Sequence, residues 1–326
     1  MRQPLRVAFV GGFAACFVEP VRARLGVPCE LIVADEGDIV GRLSEIDVLV
    51  GLAFTPAMGA AARRLRLVQV PGAGTDRIDR AALPAGAAVA NAYGHEAGIA
   101  EYVIGAMLAW SRGFARLDAS LRCGRWEAAW SHDAPPPPPM AELAGKTLGI
   151  VGYGRIGAAV ARRARAFDME VHAIRRDPRG GTPEGLRLLG GPDALPELLR
   201  VSDYLALTLA LTPETRGLIG ARELALMKRS AMLVNVARGE IVDEDALYEA
   251  LAGGGLAGAA LDVWYRYPAA PGPTLPARRP FHELPNVLLT PHVSGWTQGM
   301  LAARADVIAG NIERIVRGEA PVNLVS

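Results

Sequence analysis

Short, mostly apolar runs recur through the second half of the chain and alternate with longer segments of helical periodicity. The runs lie at residues 147–151, 170–174, 204–209, 232–236, 259–263 and 287–290, and the helix-length segments include 156–167 and 244–252. Runs that are apolar at successive positions suggest strands buried on both faces, as in a parallel sheet covered by helices. Strands that alternate with helices build right-handed crossover units, so the pattern predicts a doubly wound α/β domain.

The first part of the chain repeats this rhythm more weakly and predicts a second, smaller α/β unit. Its strand candidates are 5–10, 30–33, 48–51 and 67–70. With 326 residues the chain is longer than one hydrophobic core usually supports, which also favours two domains. Five consecutive prolines at 135–139 can neither continue a helix nor join a sheet interior, and we expect them in an exposed turn.

The balance of charges argues against nucleic acid and anionic membrane as partners. The chain has 35 Lys and Arg residues against 34 Asp and Glu residues, so it has no broad electrostatic footprint. The apolar stretch at 99–110 contains Glu101 and is far shorter than the roughly 20 residues that span a bilayer. A small molecule is therefore the expected partner.

The cysteines are widely spaced and form no Cys-x-x-Cys pair that would suggest a metal site or a redox couple; they are Cys16, Cys29 and Cys123. We expect reduced thiols in a cytoplasmic protein. The alternative is secretion, because the apolar run near the N-terminus could serve as the core of a signal peptide. Residues 7–10 followed by Gly11 and Gly12 fit a first strand and turn better.

A glycine-rich turn follows the predicted strand 147–151 and opens a helix. Gly152, Gly154 and Gly157 have the Gly-x-Gly-x-x-Gly spacing of dinucleotide-binding units. In such units the first glycine permits the tight turn, and the second lets the backbone approach the pyrophosphate. The third lets the helix pack closely on the strand, with its N-terminal amides facing the anion. A purely structural glycine-rich turn is the alternative.

The end of the next predicted strand distinguishes NADP from NAD. A domain selective for NAD usually carries Asp or Glu there, whereas this chain has Arg175 and Arg176. Guanidinium groups at this position favour the 2′-phosphate of NADP by charge and bidentate hydrogen bonding, so we expect NADP, with NAD as the alternative. In that alternative the arginines are solvated and stack on the adenosine, and Asp177 reaches the ribose.

Three polar residues follow predicted strands at the sheet edge where ligands bind. They are Arg238 in VNVARGEIVDEDAL, Asp262 in GAALDVW and His292 in TPHVSG. Because the carboxyl ends of parallel strands share one edge, we expect these side chains to converge. The guanidinium of Arg238 is a permanently charged planar fork that suits a carboxylate, and the imidazole of His292 titrates near neutrality.

These segments, with LTPETRGLIG, PGAGTDRID and AEYVIGAMLA, resemble the D-isomer-specific 2-hydroxyacid dehydrogenase family in kind and order over nearly the whole chain. The resemblance implies an oxidoreductase that moves a hydride between NAD(P)H and a small 2-oxo or 2-hydroxy acid such as glyoxylate or hydroxypyruvate. It also implies a Rossmann cofactor domain, 99–295, inserted into a flavodoxin-like substrate domain formed by 1–98 and 296–326. A homodimer formed through the cofactor domains, with segment 111–130 at the interface, is implied as well.

The resemblance assigns roles to individual residues. Arg238 holds the carbonyl and carboxylate oxygens of the substrate, and His292 exchanges a proton with the carbonyl oxygen. The amides of Ala73 and Gly74 bind the substrate carboxylate, and Asp262 lies near the nicotinamide unless it only caps a turn. The remaining cofactor contacts fall on Arg155, Ile156, Leu209, Thr212, Ala237 and Gly295.

The chain departs from the family where a Glu normally hydrogen-bonds the catalytic histidine. The segment LDVWYRYP places Tyr267 there. A phenol can orient the imidazole but cannot stabilise imidazolium by charge, so we expect His292 to titrate lower than in its relatives and reduction to prefer acidic pH. Glu283 or the substrate carboxylate could supply the missing charge instead.

The departure also keeps other functions open. A dinucleotide-binding, weakly catalytic interaction protein resembling the family's transcriptional corepressors would keep the same fold. No basic arm or added tail supports that alternative. Oxidation of phosphite is disfavoured because the loop GAGTD contains no lysine. Trp296, which follows the His292 loop, is a candidate for shaping the substrate pocket, with an ordinary core aromatic as the alternative.

Overall fold

The computed structural model describes residues 4–128, 130, 138–269 and 271–325. The chain divides into two compact units, one made of Met1–His95 with Trp296–Ser326 and the other of Glu96–Gly295. We name them the five-stranded unit and the seven-stranded unit after their sheets. Most of the proline run at 135–139 lies outside the described residues, and so does the turn predicted there.

The five-stranded unit contains a parallel sheet in the spatial order β2-β1-β3-β4-β5, with strands β1 (Leu5–Val10), β2 (Cys29–Ala34), β3 (Val48–Gly51), β4 (Leu67–Gln69) and β5 (Ala88–Ala90). This is the order of flavodoxin-like doubly wound sheets.

The seven-stranded unit contains a parallel sheet in the order β12-β11-β10-β9-β6-β7-β8. Its strands are β6 (Thr147–Val151), β7 (Glu170–Ile174), β8 (Leu188–Gly190), β9 (Tyr204–Leu207), β10 (Met232–Asn235), β11 (Gly258–Leu261) and β12 (Val287–Leu289). The strand order reverses between β6 and β9, as in a Rossmann fold, and ligands bind in the crevice at such a reversal. The predicted fold class is confirmed for both units.

Helices cover both faces of each sheet. In chain order they are α1 (Gly12–Ala15), α2 (Val18–Arg22), α3 (Pro56–Ala61), α4 (Glu96–Arg112), α5 (Phe114–Arg122), α6 (Arg155–Arg165), α7 (Leu195–Val201), α8 (Ala221–Leu226), α9 (Glu244–Ala252) and α10 (Gln298–Arg317). Successive residues of β1 show how the cores form, because Phe9 packs with Ile308 and Ile312 of α10 while Ala8 packs with Ile39 on the other face.

The strands that the sequence pattern missed are both short. β5 (Ala88–Ala90) and β8 (Leu188–Gly190) have three residues each, too few to show a period. The run predicted at 204–209 is a strand only as far as Leu207, and Thr208 and Leu209 lie in the loop that follows. Helix α9 has the predicted bounds, and α6 is displaced by one or two residues from the predicted 156–167.

Among the described residues no helix is both long enough and apolar enough to cross a membrane. In the same part of the chain no group of three or more His, Cys, Asp or Glu side chains is arranged to hold a metal ion.

Candidate active site

The glycine-rich turn joins β6 to α6 in the seven-stranded unit. Gly152 has a φ of +103°, and a Cβ on it would lie 2.7 Å from the backbone nitrogen of Leu209. A Cβ on Gly157 would lie 2.7 Å from the carbonyl oxygen of Gly152, so the helix lies directly against the turn. At Gly154 an added Cβ would meet no atom within 4 Å. Two glycines therefore serve packing, and the third leaves open space at the start of the helix.

The first turn of α6 has the properties of an anion site. It begins at Arg155 and continues through Ile156, and it contains no acidic residue. The amides of a first helical turn are directed out of the helix end, where the helix dipole also favours negative charge. The open space at Gly154 lies beside these amides, so the residues present fit the pyrophosphate of a dinucleotide.

Three arginines and one carboxylate crowd the turn after β7. Arg175 donates from Nη2 to the carbonyl oxygen of Arg179, 2.6 Å away, and Arg176 is exposed. Arg179 donates from Nε to the carboxylate of Asp177 at 2.8 Å. These bonds hold the pKa of the Asp177 carboxyl below its usual value, with smaller contributions from the charges of Arg175 and Arg176. The turn has more positive than negative side chains.

Leu209 and Thr212 lie in the segment that follows β9. Both are half-buried, and the Thr212 amide donates to the hydroxyl of Thr215 at 2.7 Å. Leu209 is the residue against which Gly152 packs, so the predicted adenosine contacts lie beside the glycine-rich turn.

The loop after β10 holds Ala237 and Arg238 in place by hydrogen bonds from Asn235. The Asn235 side chain accepts from the amide of Ala237 at 3.0 Å and donates to the carbonyl oxygen of Arg238 at 2.9 Å. Gly239 follows, and a Cβ there would lie 2.5 Å from the carbonyl oxygen of Trp264. The arginine backbone is thereby held between two neighbouring strand ends.

Asp262 is a buried residue that stabilises the loop formed by residues 290–295, which we call the His292 loop. Its side chain is fully buried and accepts from the Thr290 hydroxyl at 2.6 Å, from the Val293 amide at 2.8 Å and from the Ser294 amide at 2.8 Å. Both carboxylate oxygens are thus engaged by the loop. The arrangement matches the turn-capping alternative for Asp262, and Gly295 ends the same loop.

Two aromatic residues support this loop, and one of them, Tyr102, was not predicted from the sequence. The Tyr102 hydroxyl lies 2.7 Å from Oγ1 of Thr290, and the indole of Trp264 donates to the Thr290 carbonyl oxygen at 2.8 Å. Burial raises the pKa of Tyr102 to about 12, so this hydroxyl stays protonated. The one clue to this support in the sequence is Thr290, a hydroxyl residue at the end of an apolar run.

His292 and Tyr267 are direct neighbours. The Tyr267 hydroxyl lies 2.9 Å from Nδ1 of His292, and their ring centroids are 5.7 Å apart. The same hydroxyl accepts from the amide of Trp264 at 3.2 Å. His292 has a φ of +59°, a left-handed conformation that the surrounding hydrogen bonds must hold in place. The tyrosine therefore stands where the sequence placed it.

Arg238 acts electrostatically on the same hydroxyl. Burial raises the pKa of Tyr267, and the Trp264 amide and the positive charge of Arg238 oppose the rise, whereas Glu240 and Asp262 add to it. The strands that precede Arg238, Tyr267 and His292 are β10, β11 and β12, which are adjacent in the sheet. Glu283 was predicted from the sequence as an alternative source of negative charge for His292. Its carboxylate lies 3.8 Å from Nε2 of His282.

The loop that carries Tyr267 is tied to helix α9. The Glu244 carboxylate accepts from the amides of Arg278 and Arg279 at 2.6 and 2.7 Å, and Arg278 also pairs with Asp245. The Tyr265 hydroxyl donates to the carbonyl oxygen of Val242 at 3.1 Å. These bonds fix both ends of the segment around Tyr267.

In the five-stranded unit, Ala73 and Gly74 lie in the loop that follows β4, and both are half-buried. The Asn91 side chain donates to the carbonyl oxygen of Ala73 at 2.9 Å, which holds the loop against the start of the next segment. Trp296 belongs to this unit, and its ring centroid lies 5.7 Å from that of Phe13, which follows β1.

Comparisons with known proteins relate both units to one group of enzymes. Residues 104–294 match the family model for the D-isomer specific 2-hydroxyacid dehydrogenase, NAD binding domain. A glyoxylate reductase from Korarchaeum cryptofilum is 37% identical over 302 residues, covering 88% of this chain and 85% of that protein. A D-3-phosphoglycerate dehydrogenase from Methanocaldococcus jannaschii is 36% identical over 298 residues, covering 89% of this chain. The chain spans about half the length of that second relative, since the match covers 53% of it.

One solved structure of similar fold is an NADPH-dependent glyoxylate/hydroxypyruvate reductase from Sinorhizobium meliloti in complex with NADP and sulfate. It has 26% sequence identity and a TM-score of 0.78, and the match covers 99% of this chain and 98% of that one.

Proposed function

The chain belongs to the D-isomer specific 2-hydroxyacid dehydrogenase family, and from that premise we propose that it reduces a small 2-oxo acid, of the glyoxylate or hydroxypyruvate type, with NADPH. The family and a nicotinamide dinucleotide as cofactor, both expected from the sequence, are confirmed by the matches. The observation that carries the proposal is the cluster after β10, β11 and β12. There the hydroxyl of Tyr267 lies 2.9 Å from Nδ1 of His292 and within the field of Arg238.

The side chains of this cluster have complementary tasks. Arg238 is always charged and suits the carboxylate and carbonyl oxygens of a 2-oxo acid. His292 supplies a proton to the carbonyl oxygen during reduction and accepts it during oxidation. We also assign the amides of Ala73 and Gly74 to the substrate carboxylate, since a glycine-containing loop permits close approach.

The dinucleotide would be held by the first turn of α6 and by the segments that follow β9 and β10. Its contacts would be Gly152, Gly154, Arg155, Ile156, Gly157, Leu209, Thr212, Ala237 and Gly295, whereas Asp262 would act from inside by holding the His292 loop. When bound, the reduced nicotinamide supplies the hydride that goes to the carbonyl carbon of the substrate. The chain's own part is to orient that carbon and to move the proton.

We propose NADP rather than NAD as the preferred cofactor. Arg175 and Arg176 stand at the end of β7, and the one carboxylate of this turn, Asp177, is already engaged by Arg179. A phosphate gains charge-assisted hydrogen bonds from such a turn, whereas a ribose diol needs a carboxylate that is available. The NADP-bound relative from Sinorhizobium meliloti is consistent with this preference.

We propose a homodimer that uses segment 111–130. Four apolar side chains of this segment are exposed to about half or more, namely Phe114 at 56%, Leu121 at 51%, Trp126 at 50% and Trp130 at 69%. The rings of Trp126 and Trp130 lie 5.4 Å apart, and exposed aromatic pairs of this kind are typical of interfaces. Light scattering of the purified chain should give twice the monomer mass, and Trp126→Ser with Trp130→Ser should shift it toward the monomer. A monomeric parent protein would contradict this proposal.

We also propose a cytoplasmic location, because the cysteine thiols are not joined in disulfides. Cys16 and Cys123 are exposed, Cys29 is half-buried, and all three are free. Exposed unpaired thiols are unusual in secreted proteins, where they oxidise or cross-link, so a reducing compartment suits them best.

A turnover screen tests the function directly. Oxidation of NADPH and of NADH is followed at 340 nm with a panel of 2-oxo acids. Arg238→Ala and His292→Ala serve as inactive references, and circular dichroism of each variant checks folding. We expect turnover that each substitution lowers by about 100-fold or more. Tight dinucleotide binding with no turnover on any acid would instead indicate a corepressor-like interaction protein.

A further inference from the structure

The Tyr267 hydroxyl has two partners, and the direction of one hydrogen bond is certain. A backbone N–H can only donate, so the Trp264 amide donates to the phenol oxygen, 3.2 Å away. This bond leaves the hydroxyl hydrogen of Tyr267 available. Nδ1 of His292 lies within reach of that hydrogen, at 2.9 Å. A phenol is a good donor and an imidazole nitrogen a good acceptor, so we take this bond to run from Tyr267 to Nδ1 in the resting, neutral ring.

This direction decides where a neutral His292 carries its own hydrogen. A nitrogen that accepts a hydrogen bond has no hydrogen, so the ring hydrogen is on Nε2. A glutamate at position 267 could only accept, and it would place the hydrogen on Nδ1 instead. A donating tyrosine and an accepting glutamate therefore select opposite tautomers, and the one that goes with tyrosine makes Nε2 a donor without a positive charge on the ring.

We propose that Tyr267 is the proton reservoir of the reduction: its hydroxyl hydrogen passes to Nδ1 of His292 while the Nε2 hydrogen of the same ring passes to the substrate oxygen. The proposal rests on the function proposed above and specifies how its proton is supplied. Tyr267 acts through His292 and does not touch the substrate, so it is a positioning residue that also stores the proton.

The step balances in atoms and charge. The carbonyl carbon gains a hydride from the reduced nicotinamide, and the carbonyl oxygen gains the proton from Nε2. The Nε2–H and Oη–H bonds break, the O–H bond of the product and an Nδ1–H bond form, and Tyr267 is left as a phenolate. The pair is reset when Nε2 of His292, an exposed residue, takes a proton from water and the Nδ1 proton returns to the phenolate, which restores the Nε2 hydrogen and the phenol. An alkoxide is a much stronger base than a phenolate, so the transfer runs downhill.

The surroundings of Tyr267 act in both directions on a transient phenolate. The Trp264 amide and the charge of Arg238 stabilise it, whereas partial burial, Glu240 and Asp262 disfavour it. Tyr102 stands behind Thr290, and its pKa of about 12 keeps that hydroxyl protonated over the working range. The phenolate is therefore an intermediate of the cycle and not a resting state.

This two-proton transfer through His292, which we call the relay, changes the pH dependence expected from the sequence. If only imidazolium could donate, the rate of reduction would fall above the ordinary histidine pKa of about 6.5. With Tyr267 as the source, the rate at saturating NADPH and 2-oxo acid should stay level to about pH 9, near the titration range of a phenol. The decisive variant is Tyr267→Phe, which keeps the ring against His292 and removes the hydroxyl.

We expect Tyr267→Phe to lose rate above neutrality, by about 10- to 30-fold at about pH 8, and to approach the parent rate at about pH 5.5. The matched control is Tyr265→Phe, which removes a hydroxyl of the same loop that bonds Val242 and not His292. It should retain the level profile. A Tyr267→Phe variant with the parent profile above neutrality would overturn the relay.

A solvent isotope experiment counts the moving protons. In mixtures of water and deuterium oxide at about pH 8 the parent should show a curved proton inventory, as for two protons in flight, and Tyr267→Glu should show a linear one. The glutamate should also raise the pKa of His292 and restore a single acid-limited step. A linear inventory for the parent would contradict the proposal.

The tautomer can be measured without turnover. In ¹⁵N spectra of histidine-labelled protein, with His292→Gln used for assignment, the neutral ring should carry its hydrogen on Nε2 in the parent and on Nδ1 in Tyr267→Glu. An Nδ1 hydrogen in the parent refutes the relay even in an active enzyme. Absence of turnover on every 2-oxo acid, with the Nε2 tautomer intact, refutes the proposed function instead.

Discussion

Arg179 engages both carboxylate oxygens of Asp177 with one nitrogen, since its Nε lies 2.8 Å from Oδ1 and 2.9 Å from Oδ2. The Arg179 amide donates to the same carboxylate at 3.1 Å. Asp177 is the acidic residue of the turn where an NAD-selective domain would bind the ribose. Because Asp177 is paired with Arg179, we expect Arg175 and Arg176 to determine whether this turn favours a phosphate or a ribose diol.

Two variants should therefore shift the cofactor preference toward NADH by different routes. Arg176→Ala should raise the KM for NADPH by about 10-fold or more and leave the KM for NADH nearly unchanged, because a charge-assisted bond to phosphate is lost. Arg179→Ala should lower the KM for NADH by releasing Asp177. Arg162→Ala, an exposed arginine in the last turn of α6, is the control. Equal changes for both cofactors in either variant would show that this turn does not select between them.

Substitutions at two glycines should separate cofactor binding from folding. Gly154→Ala places a methyl group in open space at a φ of −107°, so thermal unfolding should be unchanged while the KM for NADPH rises by about 10-fold. Gly157→Ala brings its Cβ to 2.7 Å from the Gly152 carbonyl oxygen and should cost about 1–3 kcal/mol of folding free energy. Calorimetry and NADPH titration measure both. Unaltered NADPH binding in Gly154→Ala would exclude the pyrophosphate from this position.

Asp262→Asn should disorder the His292 loop. The new amide group turns a donor toward the amides of Val293 and Ser294, which now donate to the carboxylate at 2.8 Å. We expect a loss of about 2–5 kcal/mol in unfolding free energy and a fall in kcat. Thr290→Val removes one of the three bonds and should have a smaller effect on both. If kcat survives in Asp262→Asn, the loop does not depend on this carboxylate.

The buried Asn311 should contribute to stability without affecting catalysis. Its side chain donates to Oε1 of Gln69 at 2.7 Å and accepts from the amide of Val322 at 2.8 Å, which fastens the C-terminal segment to α10 and the sheet. Asn311→Ala should lower the unfolding free energy by about 2–3 kcal/mol and leave kcat unchanged at low temperature. Arg317→Ala on the same helix removes an exposed ion pair with Glu319 and should change the urea midpoint very little. A similar midpoint for both variants would argue against this network.

The local chemistry of the cofactor turn was readable from the sequence because it depends on neighbouring residues. Gly152 and Gly157 lie in one turn and one helix, and the spacing between them fixes which backbone atoms they approach. Arg238 and His292 were readable for a related reason. Each follows an apolar strand, the buried β10 for Arg238 and the partly exposed edge strand β12 for His292, and parallel strands bring their carboxyl ends to one edge whatever the intervening sequence.

The tertiary structure decided which polar groups meet. The sequence placed Tyr267 near His292, but nothing in the pattern shows that the Trp264 amide donates to the phenol oxygen, which is the contact from which we infer a relay. It also left open whether Asp262 serves the cofactor or a turn, and only the coordinates direct both its oxygens to the His292 loop. Which polar groups are hydrogen-bonded depends on fractions of an ångström in the folded chain, whereas hydrophobic period and strand order do not.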